Sequence, residues 1–276
     1  MDELSMHGRV ALVAGASKGI GAATAEAFAA AGYSVVLAAR DPAALQCVAD
    51  RIEDRGAHAL AVRTDVSDVD SMRNLIDLTM ERFGRLDAAF NNATDGPLPA
   101  PLADIDPDDF DRGIATNIRG TFLGMKYQIP AMLSGDGGAI VNMASLAGLN
   151  GTANLAAYVA GKAGIIGLSK VAALDYANQG IRINVVAPGP ILTHHLEQAG
   201  PEAQRLAGLS TPMGRIGTTA EVAQTVLWLC SPQSTFITGA VLPIDGGQSA
   251  GNKPPQMYRP GQPMTREPEA ANKDTT

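Results

Sequence analysis

Short apolar segments alternate with segments of helical length along most of the chain, and this alternation limits the fold more than any other feature. Val35, Val36 and Leu37 are apolar at consecutive positions, which indicates a strand buried on both faces, as in a parallel sheet covered by helices. The predicted strands are Val10–Ala14, Ser34–Ala39, Ala57–Arg63, Leu86–Asn91, Ala139–Met143, Arg182–Ala187 and Ala240–Ile244. The predicted helices cover about residues 20–31, 42–55, 68–83, 107–133, 153–178 and 219–230. We predict one α/β domain with a doubly wound, seven-stranded, mostly parallel sheet and right-handed crossovers.

Composition and charge exclude several classes of function. The 276 residues carry a formal net charge of −7, which argues against nucleic acid or an anionic membrane surface as the main partner. The acidic start of the chain does not resemble a signal peptide, and we expect no apolar run long enough to span a bilayer. We therefore predict a cytoplasmic protein with a small-molecule substrate.

No metal site is expected from the sequence. The two cysteines, Cys47 and Cys230, are too few to form a metal cluster and are expected to be thiols in a reducing compartment. His194, His195 and Glu197 lie close together in sequence, but no further ligand accompanies them. These histidines are expected to line a substrate entrance or to face water.

The composition changes near the end of the chain. Residues 251–276 are polar and rich in proline, so they cannot bury enough apolar area to fold alone. We assign residues 1–250 to the α/β domain and the remainder to a flexible tail. The alternative is an arm that docks on a neighbouring subunit.

A glycine-rich turn follows the first predicted strand. Its sequence places Gly15, Ser17, Lys18, Gly19, Ile20 and Gly21 between that strand and an alanine-rich helix. Such glycines let the backbone turn tightly and approach a diphosphate at the N-terminus of the helix. The alternative is a plain strand-to-helix turn, and the position after the first strand favours the nucleotide interpretation.

Tyr158 and Lys162 form the most informative pair of polar side chains. A spacing of four residues on a helix places the phenol and the ammonium group on one face. A phenol titrates near 10 in water and needs a favourable environment to act as an acid or base near neutral pH. Ser145 follows the fifth predicted strand. Alone, this spacing is also compatible with an ordinary surface pair.

Eight elements in this order resemble the classical short-chain dehydrogenase/reductase family over about residues 6–248. They are the glycine turn, Asp65-Val66, Asn91-Asn92-Ala93, Asn117, Ser145, the pair Tyr158 and Lys162, Pro188-Gly189 and Asp245-Gly246-Gly247. The resemblance implies a Rossmann fold, a nicotinamide cofactor and reversible hydride transfer between a carbonyl and an alcohol. It also implies a homotetramer, and a substrate lid at about residues 190–214.

The resemblance assigns roles to individual residues. Asn117, Ser145, Tyr158 and Lys162 correspond to the catalytic residues, with Tyr158 as general acid/base and Lys162 lowering its pKa. Cofactor contacts are implied for Gly15, Ser17, Lys18, Gly19, Ile20, Gly21, Arg40, Asp65, Val66, Asn92, Ala93, Tyr158, Lys162, Pro188, Gly189, Ile191 and Thr193. The family usually has glycine in place of Thr94. The Thr94 side chain is expected to narrow the approach to the nicotinamide, to add a polar contact, or to be tolerated in a loop.

The end of the second strand bears on the choice of cofactor. Enzymes that prefer NAD usually carry an acid at the position of Ala39, where it binds the adenosine ribose. Ala39 removes that acceptor, whereas Arg40 and Lys18 offer cations for a 2′-phosphate. NADP(H) is therefore favoured over NAD(H). The alternatives to a reductase are a non-catalytic nucleotide-sensing or scaffold protein and an isomerase, dehydratase or epimerase on the same fold.

Overall fold

A computed structural model of the chain describes residues 8–251 and contains a seven-stranded parallel sheet. The strand order is β3-β2-β1-β4-β5-β6-β7, and every neighbouring pair is parallel. The strands are β1 Val10–Ala14, β2 Ser34–Ala39, β3 Ala59–Arg63, β4 Ala88–Asn91, β5 Gly138–Met143, β6 Ile181–Pro188 and β7 Val241–Ile244. The predicted doubly wound fold is confirmed, and the predicted strand ends differ by one or two residues at most.

Ten α-helices connect and flank the strands within residues 8–251. They are α1 Gly19–Ala30, α2 Pro42–Glu53, α3 Val69–Phe83, α4 Pro107–Ile114, α5 Gly120–Leu133, α6 Leu146–Leu149, α7 Ala156–Tyr176, α8 His194–Gln198, α9 Gly200–Leu209 and α10 Thr219–Cys230. The side chain of Asp41 caps α2 by accepting hydrogen bonds from the backbone N–H groups of Ala43 and Ala44, because Asp is a favoured N-cap residue. Residues 252–276 of the predicted tail lie outside the described residues, and the division between domain and tail stays a prediction.

Helices cover both faces of the sheet, as the consecutive apolar residues of the strands require. Along β1, Ala11 and Val13 face one layer, with α1, α2 and α10. Leu12 faces the other layer, with α3, α5 and α7. Because successive strand residues point to opposite faces, every residue of β1 is buried.

The predicted helix over residues 107–133 is interrupted at its centre. Residues Ala115–Arg119 form a π-helical segment between α4 and α5, which adds one residue to a turn of the helix. Gly161 and Gly164 of α7 face this segment. A β-carbon at Gly161 would lie 2.9 Å from the β-carbon of Asn117, and one at Gly164 would lie 2.7 Å from Cδ1 of Ile118. Both glycines therefore permit the close approach of the two helices.

Helix α7 corrects the expectation that no apolar run is long enough to span a bilayer. Residues Ala156–Gln179 meet the length and composition criterion with a mean hydropathy of 1.3. However, Ala157, Ile165 and Ala173 of α7 are buried within the domain, and so is Lys162. A helix of the interior meets the same criterion, so this finding does not identify a membrane segment.

A buried amide network joins the centre of the sheet to the helices behind it. Asn91 of β4 donates hydrogen bonds to Gln128 of α5 and to Asn142 of β5, and Asn142 donates to Ser169 of α7. Gln128 returns a hydrogen bond to Asn91. Since buried polar groups are costly unless they are paired, this network fixes the position of α5 and α7 against β4 and β5.

Candidate active site

A cleft of about 930 Å³ opens at the carboxyl ends of the strands. In an open doubly wound sheet the crevice forms where the strand order reverses, and here β1 lies between β2 and β4. Most residues predicted for the site line this cleft: Gly15, Ser17, Lys18, Gly19, Ile20, Arg40, Asp65, Val66, Asn92, Ala93, Ser145, Tyr158, Lys162, Pro188, Gly189, Ile191 and Thr193. Gly21 and Asn117 are not among the lining residues.

The glycine turn has the geometry of an anion-binding loop. Gly15 and Gly19 have positive φ angles of 79° and 58°, which favour glycine. Gly21 lies behind the turn, where a β-carbon would collide with the carbonyl oxygen of Gly15. The N-cap residue Lys18 makes no side-chain capping bond, and the first turn of α1 contains no acidic residue. The N-terminal N–H groups of α1 therefore suit an anionic group in the cleft.

Tyr158 and Lys162 lie on adjacent turns of α7 at the cleft. The ammonium nitrogen of Lys162 is 5.5 Å from the centroid of the Tyr158 ring and donates a hydrogen bond of 3.0 Å to the carbonyl oxygen of Met143. Lys162 is only 1% exposed, and burial lowers its pKa to about 7. The side chain can therefore be charged or neutral near neutral pH.

Ser145 contributes a hydroxyl group beside the phenol. It is the N-cap residue of the short helix α6, and its Oγ accepts a hydrogen bond of 3.2 Å from the backbone N–H of Ala147. Burial raises the pKa of Tyr158, and hydrogen bonding with Ser145 lowers it in part. Among the described contacts, the hydrogen bond with Ser145 is the one that lowers the pKa of Tyr158, and the effect predicted for Lys162 stays a prediction.

Asn117 lies behind the cleft rather than on its wall. It is fully buried in the π-helical segment. Its Nδ2 donates to the carbonyl oxygens of Gly113 at 2.8 Å and Asp95 at 2.6 Å. Its Oδ1 accepts a hydrogen bond of 2.9 Å from Thr94. Asn117 therefore joins α4 to the loop after β4, and this loop forms part of the cleft wall.

Thr94 thus adds a polar contact, which was one of the three alternatives for this residue. Among the described residues, the Thr94 hydroxyl donates the hydrogen bond that Oδ1 of Asn117 accepts. The sequence marked Thr94 as unusual but gave no indication of its partner, because Asn117 lies on a different element. The one indication in the sequence was that Thr94, which has a hydroxyl group, stands where the family usually has glycine.

Arg40 is paired with an acid that the sequence analysis did not single out. Both terminal nitrogens of Arg40 lie 3.5 Å from Oδ2 of Asp95, which is the outer limit of a hydrogen bond. Asp41 is occupied in capping α2. Asp65 accepts hydrogen bonds from the backbone and side chain of Ser67, which lower its pKa.

The segment after β6 closes the other side of the cleft. Leu192 donates a backbone hydrogen bond to Gly217, and Gly217 donates to Pro190, so the chain is anchored before Thr193. The predicted lid contains helices α8 and α9. His194 lines the cleft, whereas the side chain of His195 lies outside the described part of the chain. No group of three or more potential metal ligands occurs among the described residues.

Replacing Thr94 tests the role of its hydroxyl group. Thr94→Val keeps the shape of the side chain but leaves Oδ1 of Asn117 buried without its donor. An unpaired buried polar group costs about 1–3 kcal/mol, so we expect the free energy of unfolding in urea to fall by that amount. Thr94→Ser keeps the hydroxyl and is the matched control. Equal stability of both variants would show that the hydrogen bond contributes nothing.

Comparisons with known proteins agree with this geometry. A family model described as enoyl-(acyl carrier protein) reductase matches residues 15–249. The A-factor type gamma-butyrolactone 1′-reductase (1S-forming) of Streptomyces virginiae is 40% identical, with 87% of this chain and 95% of the relative covered. Cyclohexanol dehydrogenase of Acinetobacter sp. (strain SE19) is 39% identical, with 88% and 96% covered.

A solved structure supports the same assignment. The crystal structure of levodione reductase has a TM-score of 0.86 and 34% sequence identity, and the match covers 89% of this chain and 99% of the other. The sheet, the cleft and these relatives lead to one conclusion. The chain belongs to the short-chain dehydrogenase/reductase family and is an NAD(P)-dependent oxidoreductase that acts on an alcohol or carbonyl group.

Proposed function

We propose that this enzyme transfers a hydride between NADP(H) and a carbonyl or secondary alcohol, with Tyr158 as the general acid/base. The observation that carries the proposal is the grouping of the Tyr158 phenol, the Ser145 hydroxyl and the buried Lys162 amine at one end of the cleft. The name of cyclohexanol dehydrogenase supports a small, uncharged secondary alcohol or ketone as the class of substrate.

The residues of the cleft fit a dinucleotide. The uncapped N-terminus of α1 and the glycine turn suit the diphosphate, whereas Pro188, Gly189 and Thr193 lie on the side assigned to the nicotinamide. When bound, the nicotinamide group supplies or accepts the hydride. The protein's own task is to hold the substrate oxygen and to move its proton.

Tyr158 is suited to donate that proton during reduction. Burial raises the pKa of its phenol, so the protonated form is dominant over the neutral pH range. In the reductive direction the phenol gives its proton to the substrate oxygen, and in the oxidative direction the phenolate accepts it. Ser145 donates a hydrogen bond to the same oxygen and holds it where charge changes in the transition state.

Lys162 supports this proton transfer through its positive charge. Its amine is fixed by the carbonyl oxygen of Met143 at 3.0 Å. When protonated, it stabilises negative charge on the phenolate, and in the family it also contacts the nicotinamide ribose. Asn117 acts as a positioning residue in this proposal, because its side chain holds the loop at Asp95.

Exchange of Tyr158 tests the proposed acid/base. Tyr158→Phe removes the transferable proton and keeps the ring, so kcat should fall on the order of 10²–10⁴-fold, while cofactor binding stays close to that of the wild type. The reaction is followed by absorbance of NADPH with cyclohexanone and a panel of other ketones. Tyr176→Phe, at the end of the same helix, is the matched control. A Tyr158→Phe enzyme with a normal rate would refute the assignment.

The preference for NADP(H) is supported by charge at the end of β2. Ala39 offers no carboxylate to a ribose hydroxyl, and Arg40 follows it on the cleft wall. Lys18 lines the cleft from the glycine turn. Two cations without an acid at position 39 suit a 2′-phosphate, since arginine binds phosphate oxygens with a planar fork of donors.

Arg40→Ala tests this preference. Loss of a hydrogen bond to a charged group costs about 1.5–3 kcal/mol, so KM for NADPH should rise roughly ten- to a hundredfold, with little change for NADH. Arg73→Ala removes another exposed arginine, which lies on α3 and pairs with Asp70, and serves as the control. Equal weakening of both cofactors by Arg40→Ala would contradict the role of Arg40 in cofactor choice.

We further propose that the enzyme is a homotetramer. Helix α7 exposes Val171 and Leu174, with 57% and 82% of their surface accessible, and Phe236 near β7 is fully exposed. Apolar side chains grouped on a surface helix favour contact with a second copy. The family pairs through α7 and the preceding long helix, and again near the last strand.

Light scattering tests the oligomer. The wild type should have a mass near four times 28.5 kDa at micromolar concentration, and Leu174→Glu should reduce it, because a charge would be buried between subunits. Leu98→Glu changes a residue of similar exposure, 87%, on the loop after β4 and should leave the mass unchanged. A monomeric wild type would refute the proposal.

A further inference from the structure

We propose that Asp95 sets how strongly the enzyme distinguishes NADP(H) from NAD(H), because its carboxylate competes with the 2′-phosphate for Arg40. The inference rests on the proposed function, in which Arg40 binds that phosphate. Asp95 lies after β4 and Arg40 lies after β2, and both line the cleft. Their side chains are 3.5 Å apart in the structure.

The two members of this pair differ in freedom. The Arg40 side chain is 64% exposed, whereas that of Asp95 is 25% exposed. The backbone of Asp95 is held by the hydrogen bond of 2.6 Å from Nδ2 of Asn117. Its Oδ1 accepts a further hydrogen bond of 2.8 Å from the backbone N–H of Gly96. Arg40 is therefore the movable partner, and the carboxylate is a fixed charge on the cleft wall.

The Arg40–Asp95 contact is long, so Arg40 can exchange this carboxylate for a phosphate. An exposed ion pair contributes little free energy, so a phosphate can draw Arg40 away from Asp95. The phosphate then lies near the Asp95 carboxylate, which stays in place when Arg40 moves. Electrostatic repulsion between the two anions opposes the attraction to Arg40. The ribose hydroxyl of NAD(H) carries no charge and meets no such repulsion.

Other charged groups near Arg40 do not replace Asp95 in this role. Asp41 accepts two backbone hydrogen bonds at the start of α2. Asp65 interacts electrostatically with Arg40, but its Oδ1 is occupied by the backbone and hydroxyl of Ser67. Lys18, in the glycine turn, adds a positive charge to the same cleft. Of these acids, Asp95 is the one that contacts the guanidinium group.

The replacement Asp95→Asn removes the charge and keeps an oxygen for the N–H of Gly96. We expect its Kd for NADPH to fall roughly five- to tenfold at low ionic strength, while Kd for NADH changes by less than about twofold. The gain should shrink at about 1 M salt, where the Debye length is near 3 Å. Isothermal titration calorimetry measures both constants without turnover.

Two further variants make the test specific. Asp70→Asn removes one carboxylate from the exposed ion pair with Arg73 and controls for net charge, so its Kd values should equal those of the wild type. In an Arg40→Ala background, Asp95→Asn should lose the part of its effect that comes from competition for the guanidinium group and keep only the part that comes from repulsion of the phosphate, so the gain in NADPH affinity should be smaller. An undiminished gain in that background would overturn the competition.

The outcomes for Asp95 and for the proposed function are distinct. The proposed cofactor preference fails if the wild type binds NADH more tightly than NADPH. The inference about Asp95 fails if Asp95→Asn leaves the ratio of the two Kd values unchanged, or if it weakens NADH as much as it strengthens NADPH. The latter result would mean that Asp95 binds the ribose hydroxyl instead.

Discussion

The hydrogen bond from the buried Lys162 amine to the carbonyl oxygen of Met143 fixes the arrangement of the site. A buried ammonium group is unfavourable unless it is paired, and burial lowers the pKa of Lys162 to about 7. The contact ties one face of α7 to the end of β5. Tyr158 lies one turn before Lys162, and Ser145 lies two residues after Met143. This buried contact therefore helps to place the Tyr158 phenol and the Ser145 hydroxyl at the same end of the cleft.

The loop after β4 is held in place by Asn117. Its buried side chain donates hydrogen bonds to the carbonyl oxygens of Gly113 in α4 and of Asp95, and it accepts one from the Thr94 hydroxyl. Asp95 in turn contacts Arg40, so polar contacts run from the π-helical segment to the end of β2. This path relates the proposed catalytic end of the cleft to the region proposed to bind the adenosine ribose, although the two regions lie on different elements of the fold.

Sequence patterns predicted the sheet, and the motifs predicted which residues line the cleft. Consecutive apolar residues such as Val35 and Val36 identify buried strands because burial on both faces leaves no alternation. The π-helical segment was not predictable in this way, since one added residue leaves the apolar pattern of the long helix almost unchanged. The pairing of Arg40 with Asp95 joins residues 55 positions apart across an irregular loop. No periodicity reports such a contact, and it appears only when the fold brings β2 and β4 to either side of β1.

The glycines of α7 lower the intrinsic stability of the helix that carries Tyr158 and Lys162. Gly161 and Gly164 allow the π-helical segment to approach, yet each glycine weakens a helix by about 1 kcal/mol. The first half of α7 therefore persists through its neighbours rather than through its own preference for helix. Loss of contact with the segment at Asn117 should therefore expose the backbone amides in this half of α7 to exchange with solvent. The Tyr158 phenol thus depends for its position on the packing of α7 against its neighbours.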